Sequence, residues 1–435
     1  MPIRVAYDIS VIAKEFAVQK HTFGIFRVVD EILRGLRSYE DLEITPAVLC
    51  LPPLLAYAEA FETYLTEWQG MEKGQFFTRR HERRALKQAI NSLDTLCNAP
   101  WVTRHPRLML PVALAFKAMR KALRAVPVRE VTYSNERKSY DIYHSTYLPF
   151  PSRRATGAGQ RILTIYDLIP VMAPQFCIDP IIQSYKQLLS SLVPQQDWAI
   201  CISDFTKQEL CAYTGMAPER VFVTLLAADA KFYPEQDAER IADVRRRYGI
   251  PAGEYFLSLA RIEGRKNFVR LLNAFARLLR ESPDLPLTLV LVGELGKNYE
   301  DILSASDDLE AIRGRVVFTG YVEEQDISAV YSGAKAFLFP SLYEGFGLPP
   351  LEAMQCGVPV ITSNTTSLPE VVGDAGIMVD PTDMDALCAA MLEVATNDQL
   401  CGELRERGLA RARQFSWAKS AQQTAEVYRF IMANT

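Results

Sequence analysis

The sequence predicts an α/β protein made of two domains, each a parallel sheet with helices on both faces. Three observations predict it. Strand-like apolar runs alternate with helical segments in both halves of the chain, the pattern of parallel sheets covered by helices. A chain of 435 residues is too long for one ordinary hydrophobic core. In the second half, the apolar run Ala336-Phe337-Leu338-Phe339 stops at a glycine-bearing turn and restarts as a helix at Pro349-Pro350, a strand–turn–helix step.

Taken in order, residues 3–9 read as a strand, followed by a loop carrying Gly24 and a helix over 25–36. A second strand is expected at 44–49. Residues 54–129 lack strand patterns and read as a helical insertion. Strands return at 142–144, 161–165 and 198–202, alternating with helices near 179–192 and 204–213, where Ser203 is placed to cap. Pro234 and charged neighbours break the pattern at 227–235. Further strands are expected at 255–259, 287–292, 316–319, 336–339 and 358–361. After Asn267, residues Phe268, Leu271, Leu272, Phe275, Leu278 and Leu279 fall on one helical face, with Asn267 as a cap. The domains are therefore expected at 1–228, with the insertion at about 54–130, and at 229–414, with a final helix over 415–435.

Bulk properties exclude several classes. The net charge of −4 argues against a nucleic-acid partner. Eight scattered cysteines, none in a C-x-x-C pair, suit reduced thiols in a cytosolic protein better than disulfides or zinc. Met1-Pro2-Ile3-Arg4 runs straight into a strand, which reads as no signal peptide, and no apolar segment reaches membrane-spanning length. The four histidines are well separated and no Asp-x-Asp pair follows a strand, so no metal is expected.

The turn after residue 339 carries the most chemistry. Gly345 and Gly347 let bare backbone approach a ligand, and the helix start offers N–H groups to an anion. Glu344 and Glu352 flank that anion site. Carboxylates repel phosphate and accept hydrogen bonds from hydroxyls, so phosphate and hydroxyls on one ligand suggest a sugar nucleotide. Arg261 and Lys266 lie just past a strand end, where open α/β sheets bind ligands. Transfer from a diphosphate leaving group needs fixed cations there.

The run Glu344-Gly-Phe-Gly-Leu-Pro-Pro-Leu-Glu352 resembles the Glu-x7-Glu motif of retaining glycosyltransferases of family 4, which have the GT-B fold. The likeness extends through Leu259-Ala260-Arg261, Gly264-Arg265-Lys266-Asn267, Leu291-Val292-Gly293-Glu294, Thr319-Gly320-Tyr321-Val322, Cys356-Gly357-Val358-Pro359 and Leu368-Pro369-Glu370, and is dense over 255–381. It implies two Rossmann-like domains facing across a cleft, with the last helix crossing back to the first. It implies further that Arg261 and Lys266 hold the diphosphate, with Arg265 the lesser partner. Glu352 would take the ribose hydroxyls, and Glu344 those of the donor sugar. Phe346, Gly347 and Leu348 would touch sugar or phosphate through backbone N–H groups, while Gly293, Tyr321 and Val322 line the base pocket. Tyr166-Asp167 stands where many members carry His-Asp, leaving Asp167 to orient acceptor or sugar. His144, at a strand end, fits either a cleft role or a structural one, and Gly24 resembles a loop that meets donor or acceptor.

Residues 76–129 hold twelve Lys or Arg against two acids. Within them, Lys117, Arg120, Lys121 and Arg124 share one helical face and Phe116, Met119, Leu123 and Val126 another. The stretch 111–127 suits an anionic membrane surface or a core-facing helix with a solvated basic side. The expected function is retaining, metal-independent transfer of a hexosyl unit, mannose or rhamnose favoured, from a nucleotide-diphosphate sugar to a glycan or lipid-linked glycan, as in bacterial surface polysaccharide assembly. The expected location is cytoplasmic, at the inner membrane face. The competing readings are a sugar-nucleotide epimerase and a non-catalytic sugar-nucleotide-binding subunit.

Overall fold

The computed structural model describes residues 1–12, 24–48, 139–261, 263–293 and 314–435, with Tyr64, Ser92, Thr95, Leu114, Ala115, Ala118, Met119, Ala122 and Ile312. Most of the expected helical insertion, including the basic face of 111–127, lies outside the described residues.

Twelve strands form two six-stranded sheets. In the first, β1 (Ile3–Asp8), β2 (Leu42–Ala47), β3 (Tyr140–Ser145), β4 (Ala158–Ile165), β5 (Trp198–Cys201) and β6 (Val221–Val223) take the order β2-β1-β3-β4-β5-β6. β1 runs parallel to both β2 and β3, and β3 to β4. In the second, β7 (Glu254–Leu259), β8 (Leu287–Val292), β9 (Val316–Gly320), β10 (Ala336–Phe339), β11 (Val360–Ser363) and β12 (Ile377–Val379) take the order β12-β11-β10-β7-β8-β9. Every neighbouring pair there is parallel. Both are doubly wound sheets, as the alternation predicts. β6 and β12 are unpredicted. Each is three residues long, too short to show a period.

The central strands are buried on both faces because helices cover both. All six residues of β8 and all four of β10 are buried, which is why these strands read as unbroken apolar runs rather than alternating ones. Helix Phe268–Glu281 buries Phe268, Leu271, Leu272, Phe275, Leu278 and Leu279, the predicted stripe, and Phe275 meets Phe256 of β7 edge-on. Asn267 at its start has a left-handed backbone and makes no side-chain cap; its amide goes to Pro340 O and Pro381 O instead.

The chain divides into two compact units, Met1–Thr164 with Gln187–Ala199 and Ala421–Thr435, and Ile165–Lys186 with Ile200–Ser420. Helix Trp417–Ala433 thus ends in the first unit, where Tyr428 donates or accepts at His144 Nδ1 (2.6 Å). None of the six described cysteines forms a disulfide. Among the described residues no helix is long and apolar enough to cross a membrane.

Candidate active site

In the second sheet the chain winds outward through β7, β8 and β9, then returns to lay β10, β11 and β12 on the other side of β7. The order reverses between β7 and β10. Loops leaving the carboxyl ends of two such strands diverge, and the crevice between them is where open α/β sheets take ligands. The loop after β7 carries Arg261, Arg265 and Lys266; the loop after β10 carries Glu344 and leads to helix Leu348–Gln355. The sheet topology therefore brings the loops that carry the predicted cations and the first predicted carboxylate to one crevice.

Glu344 is the hub. Its Oε1 accepts from Lys266 Nζ at 2.5 Å and from Ser341 Oγ at 2.6 Å, and its Oε2 faces Arg265 Nη1 at 3.0 Å. Its backbone N–H donates to Thr366 Oγ1 (3.2 Å) and its carbonyl accepts from Ser367 Oγ (2.9 Å). Lys266 also lies 4.7 Å from the centre of the Phe339 ring. Burial pushes the Glu344 carboxyl up, but Lys266 and Arg265 outweigh it and hold the group below the usual carboxylate range. Burial is likewise the largest influence on Lys266, leaving its ammonium below the ordinary lysine value against the pull of Glu344.

Of the two arginines, the structure places Arg265 inside the cluster and Arg261 outside it. The Arg265 side chain is 20% exposed and donates to Tyr343 O, while that of Arg261 is 68% exposed and, among the described residues, reaches only Glu263, at 3.8 Å. The one-turn helix Gly264–Lys266 and the left-handed Asn267 that ends it turn Arg265 and Lys266 inward together.

Gly345 fits against Tyr166 and Asp167. A Cβ there would lie 2.1 Å from Tyr166 O and 2.8 Å from Asp167 Cβ, so only glycine allows this contact. The Gly345 carbonyl in turn accepts from Ser203 Oγ (2.8 Å) and Thr206 Oγ1 (3.3 Å). This seats Tyr166 and Asp167 beside the Glu344 loop. Burial raises the Asp167 carboxyl above its ordinary value, opposed by the Ile169 N–H and by Arg265. Tyr343, next to Glu344, donates to Glu209 and packs edge-on against Phe205. Sequence reasoning ranked Arg265 below Arg261 and passed over Ser341, Thr366 and Ser367 as site residues; no spacing or period in the sequence marks those three.

The remaining predicted residues are more dispersed. Glu352 is buried in helix Leu348–Gln355, and Tyr331 Oη donates to its Oε2 at 3.3 Å. Gly347 opens that helix at φ 124°. Phe346 is a core residue, edge-on to Phe415, and Leu348 is half-buried. Gly293 is dictated by packing: a Cβ would fall 2.4 Å from Ala260 O. Tyr321 is exposed and Val322 buried. Gly24 and His144 belong to the first unit. Gly24 starts helix Ile25–Leu36 with a left-handed φ of 63°. His144 is only 2% exposed, both ring nitrogens are engaged, by Tyr428 Oη and Thr164 Oγ1, and burial drives its value down to about 3. Of the two roles open to it, the surroundings describe the structural one.

Two doubly wound sheets in one chain, one with a buried cation–carboxylate cluster at its switch point, define a GT-B glycosyltransferase. Residues 241–414 match the family model described as glycosyl transferases group 1. The chain is 34% identical over 307 residues to the O-antigen chain mannosyltransferase B of Escherichia coli, covering 70% of this chain and 78% of that protein. It is 33% identical over 276 residues to the serotype-specific mannosyltransferase WbdA of Escherichia coli, spanning 63% of this chain but only 34% of that longer protein. In fold it is similar to the sucrose-phosphate synthase of Thermosynechococcus elongatus, with a TM-score of 0.61 at 18% identity over 100% of both chains. The chain belongs to the group 1 glycosyl transferases.

Proposed function

We propose that this glycosyltransferase moves a hexosyl unit, mannose in the first instance, with retention, from a nucleotide-diphosphate sugar to a glycan or lipid-linked glycan of a bacterial surface polysaccharide. The observation that carries the reading is the buried Lys266–Glu344–Arg265 cluster at the β7/β10 switch point. The mannosyltransferase relatives from Escherichia coli support the sugar.

The chemistry follows from charge. As the bond from the sugar anomeric carbon to the diphosphate oxygen breaks, negative charge grows on the diphosphate and positive charge on the ring. Lys266, with Arg261 and Arg265, supplies fixed positive charge to the leaving group in a partly desolvated site. Glu344 accepts from donor-sugar hydroxyls and Glu352 from the ribose. The acceptor oxygen bonds the anomeric carbon on the face the diphosphate leaves, and its proton passes to a phosphate oxygen. Asp167 orients acceptor or sugar. These cations do the work a metal does elsewhere, so transfer is expected to proceed in excess chelator. A lipid-linked acceptor would place the enzyme at the inner membrane face.

The test is thermal shift with GDP-mannose, UDP-glucose, UDP-GlcNAc, UDP-galactose and dTDP-rhamnose, followed by transfer with the donor that shifts, the product anomer being read by NMR. A ligand of the native state raises Tm by mass action. A GDP-mannose shift with an α-linked product is expected. An isomerised sugar nucleotide with no transfer would mean an epimerase, and a shift with no turnover a binding subunit.

A further inference from the structure

Among the described residues, two other than glycine hold a left-handed backbone, Asn267 at φ 61° and Thr366 at φ 56°. Both hold the same loop. Asn267 Nδ2 donates to Pro340 O at 3.0 Å, where the loop begins, and Thr366 Oγ1 accepts from the Glu344 N–H at 3.2 Å, where it reaches the site. Asparagine tolerates that conformation. A β-branched threonine does so at a cost, because its Cβ crowds the backbone carbonyl. Such strain persists only where the surroundings over-determine it, and it gathers at functional sites.

The surroundings of Thr366 do over-determine it. Its hydroxyl donates onward to Thr365 O (2.7 Å), so the oxygen is fixed between that carbonyl and the Glu344 N–H. The next residue, Ser367, is buried and donates to Glu344 O (2.9 Å) and Phe346 O (2.7 Å). The turn after β11 thus grips both backbone polar groups of Glu344, while Ser341, Lys266 and Arg265 grip its carboxylate.

The geometry points to Thr366 as a positioning residue for Glu344: its strained backbone delivers a hydroxyl to the Glu344 N–H and so fixes where that carboxylate meets the donor sugar. The inference rests on the transfer reading above. A ligand-contacting carboxylate that drifts by an ångström loses rate rather than affinity alone.

The test is the series Thr366→Ser, Thr366→Val and Thr366→Gly, each measured for Tm, kcat and donor KM beside the wild type. Serine keeps the hydroxyl and should stay within about threefold of wild-type kcat. Valine keeps the β-branch and loses the hydroxyl; glycine loses both but relieves the backbone. Both should lose about ten- to a hundredfold in kcat, with a smaller change in donor KM. Their Tm values should separate, glycine above valine, because only glycine sheds the strain. Activity would then follow the hydroxyl and not the stability. A kcat that tracks Tm along the series, or a valine variant with wild-type kcat, would overturn the role while leaving the transfer reading intact. Should valine fail to fold, the serine–glycine pair decides alone. A wild type that transfers no sugar from any donor would overturn the transfer reading and this role with it.

Discussion

At the scale of single residues, the cluster turns on which cations face inward. Spacing and resemblance favour Arg261 and Lys266 for the diphosphate, and the structure binds Lys266 and Arg265 to Glu344 instead. The choice between the arginines was not legible in the sequence, because it depends on a one-turn helix and a left-handed Asn267 that no hydrophobic period announces. It has separable consequences. Lys266→Ala is expected to lower kcat at least a hundredfold, since a preorganised cation at developing charge is worth about 3–4 kcal/mol. Glu344 keeps Arg265 and Ser341 in that variant, so it should fold with a lowered Tm; near wild-type turnover would sink the phosphate assignment. Arg265→Ala should lower both kcat and Tm. Arg261→Ala, removing an exposed side chain, should weaken donor affinity or turnover and leave Tm unchanged. Calorimetry beside steady-state kinetics on the three variants distinguishes these outcomes.

At the scale of elements, the periods carried the prediction where elements are long and failed where they are short. The 268–279 stripe and the apolar runs of β7, β8 and β10 were readable because burial demands them. The edge strands β6 and β12 were not. Glycines mark places of close approach, but the sequence does not say what approaches. Gly345 and Gly347 suggested a ligand, whereas the atoms nearest a Gly345 Cβ are Tyr166 O and Asp167 Cβ, and those nearest a Gly293 Cβ belong to Ala260 and Arg261. This joins Tyr166 and Asp167 to the loop after β10. Gly345→Ala must push that junction apart, since 2.1 Å from a backbone oxygen is far inside van der Waals contact. A destabilisation of about 1–3 kcal/mol is expected from such overpacking. Because the junction seats Asp167 beside Glu344, kcat should fall further than Tm alone explains. Among the described residues Gly24→Ala meets no atom within 4 Å and strains its own left-handed backbone; it should cost about 1 kcal/mol. Urea melts of the two variants check the order.

At the scale of the molecule, the two-sheet plan was legible from length and alternation, while the way the chain closes on itself was visible only by resemblance. Residues 421–435 rejoin the first unit, and there Tyr428 meets His144, 284 positions earlier in sequence, as T-shaped ring contacts bring Tyr7 and Tyr428 around the imidazole. One consequence reaches global stability. Burial drives His144 from an ordinary 6.5 down to about 3. As pH falls below 6.5 the unfolded chain takes a proton that the folded chain refuses until about 3, so this group's contribution to stability is present above 6.5 and declines through that window. Between pH 7 and pH 5 the decline amounts to about 2 kcal/mol. The half-buried carboxyls of Asp167, Glu209 and Glu370 are raised and act in the opposite direction, so a wild-type melt alone does not isolate the histidine. The comparison with His144→Gln does, because a glutamine amide offers one donor and one acceptor to Tyr428 and Thr164 and carries no proton equilibrium. Wild type should lose several degrees more Tm than His144→Gln on going from pH 7 to pH 5. Parallel losses would mean that the imidazole is hydrated enough to titrate normally, and that the last helix is held by packing rather than by a neutral histidine.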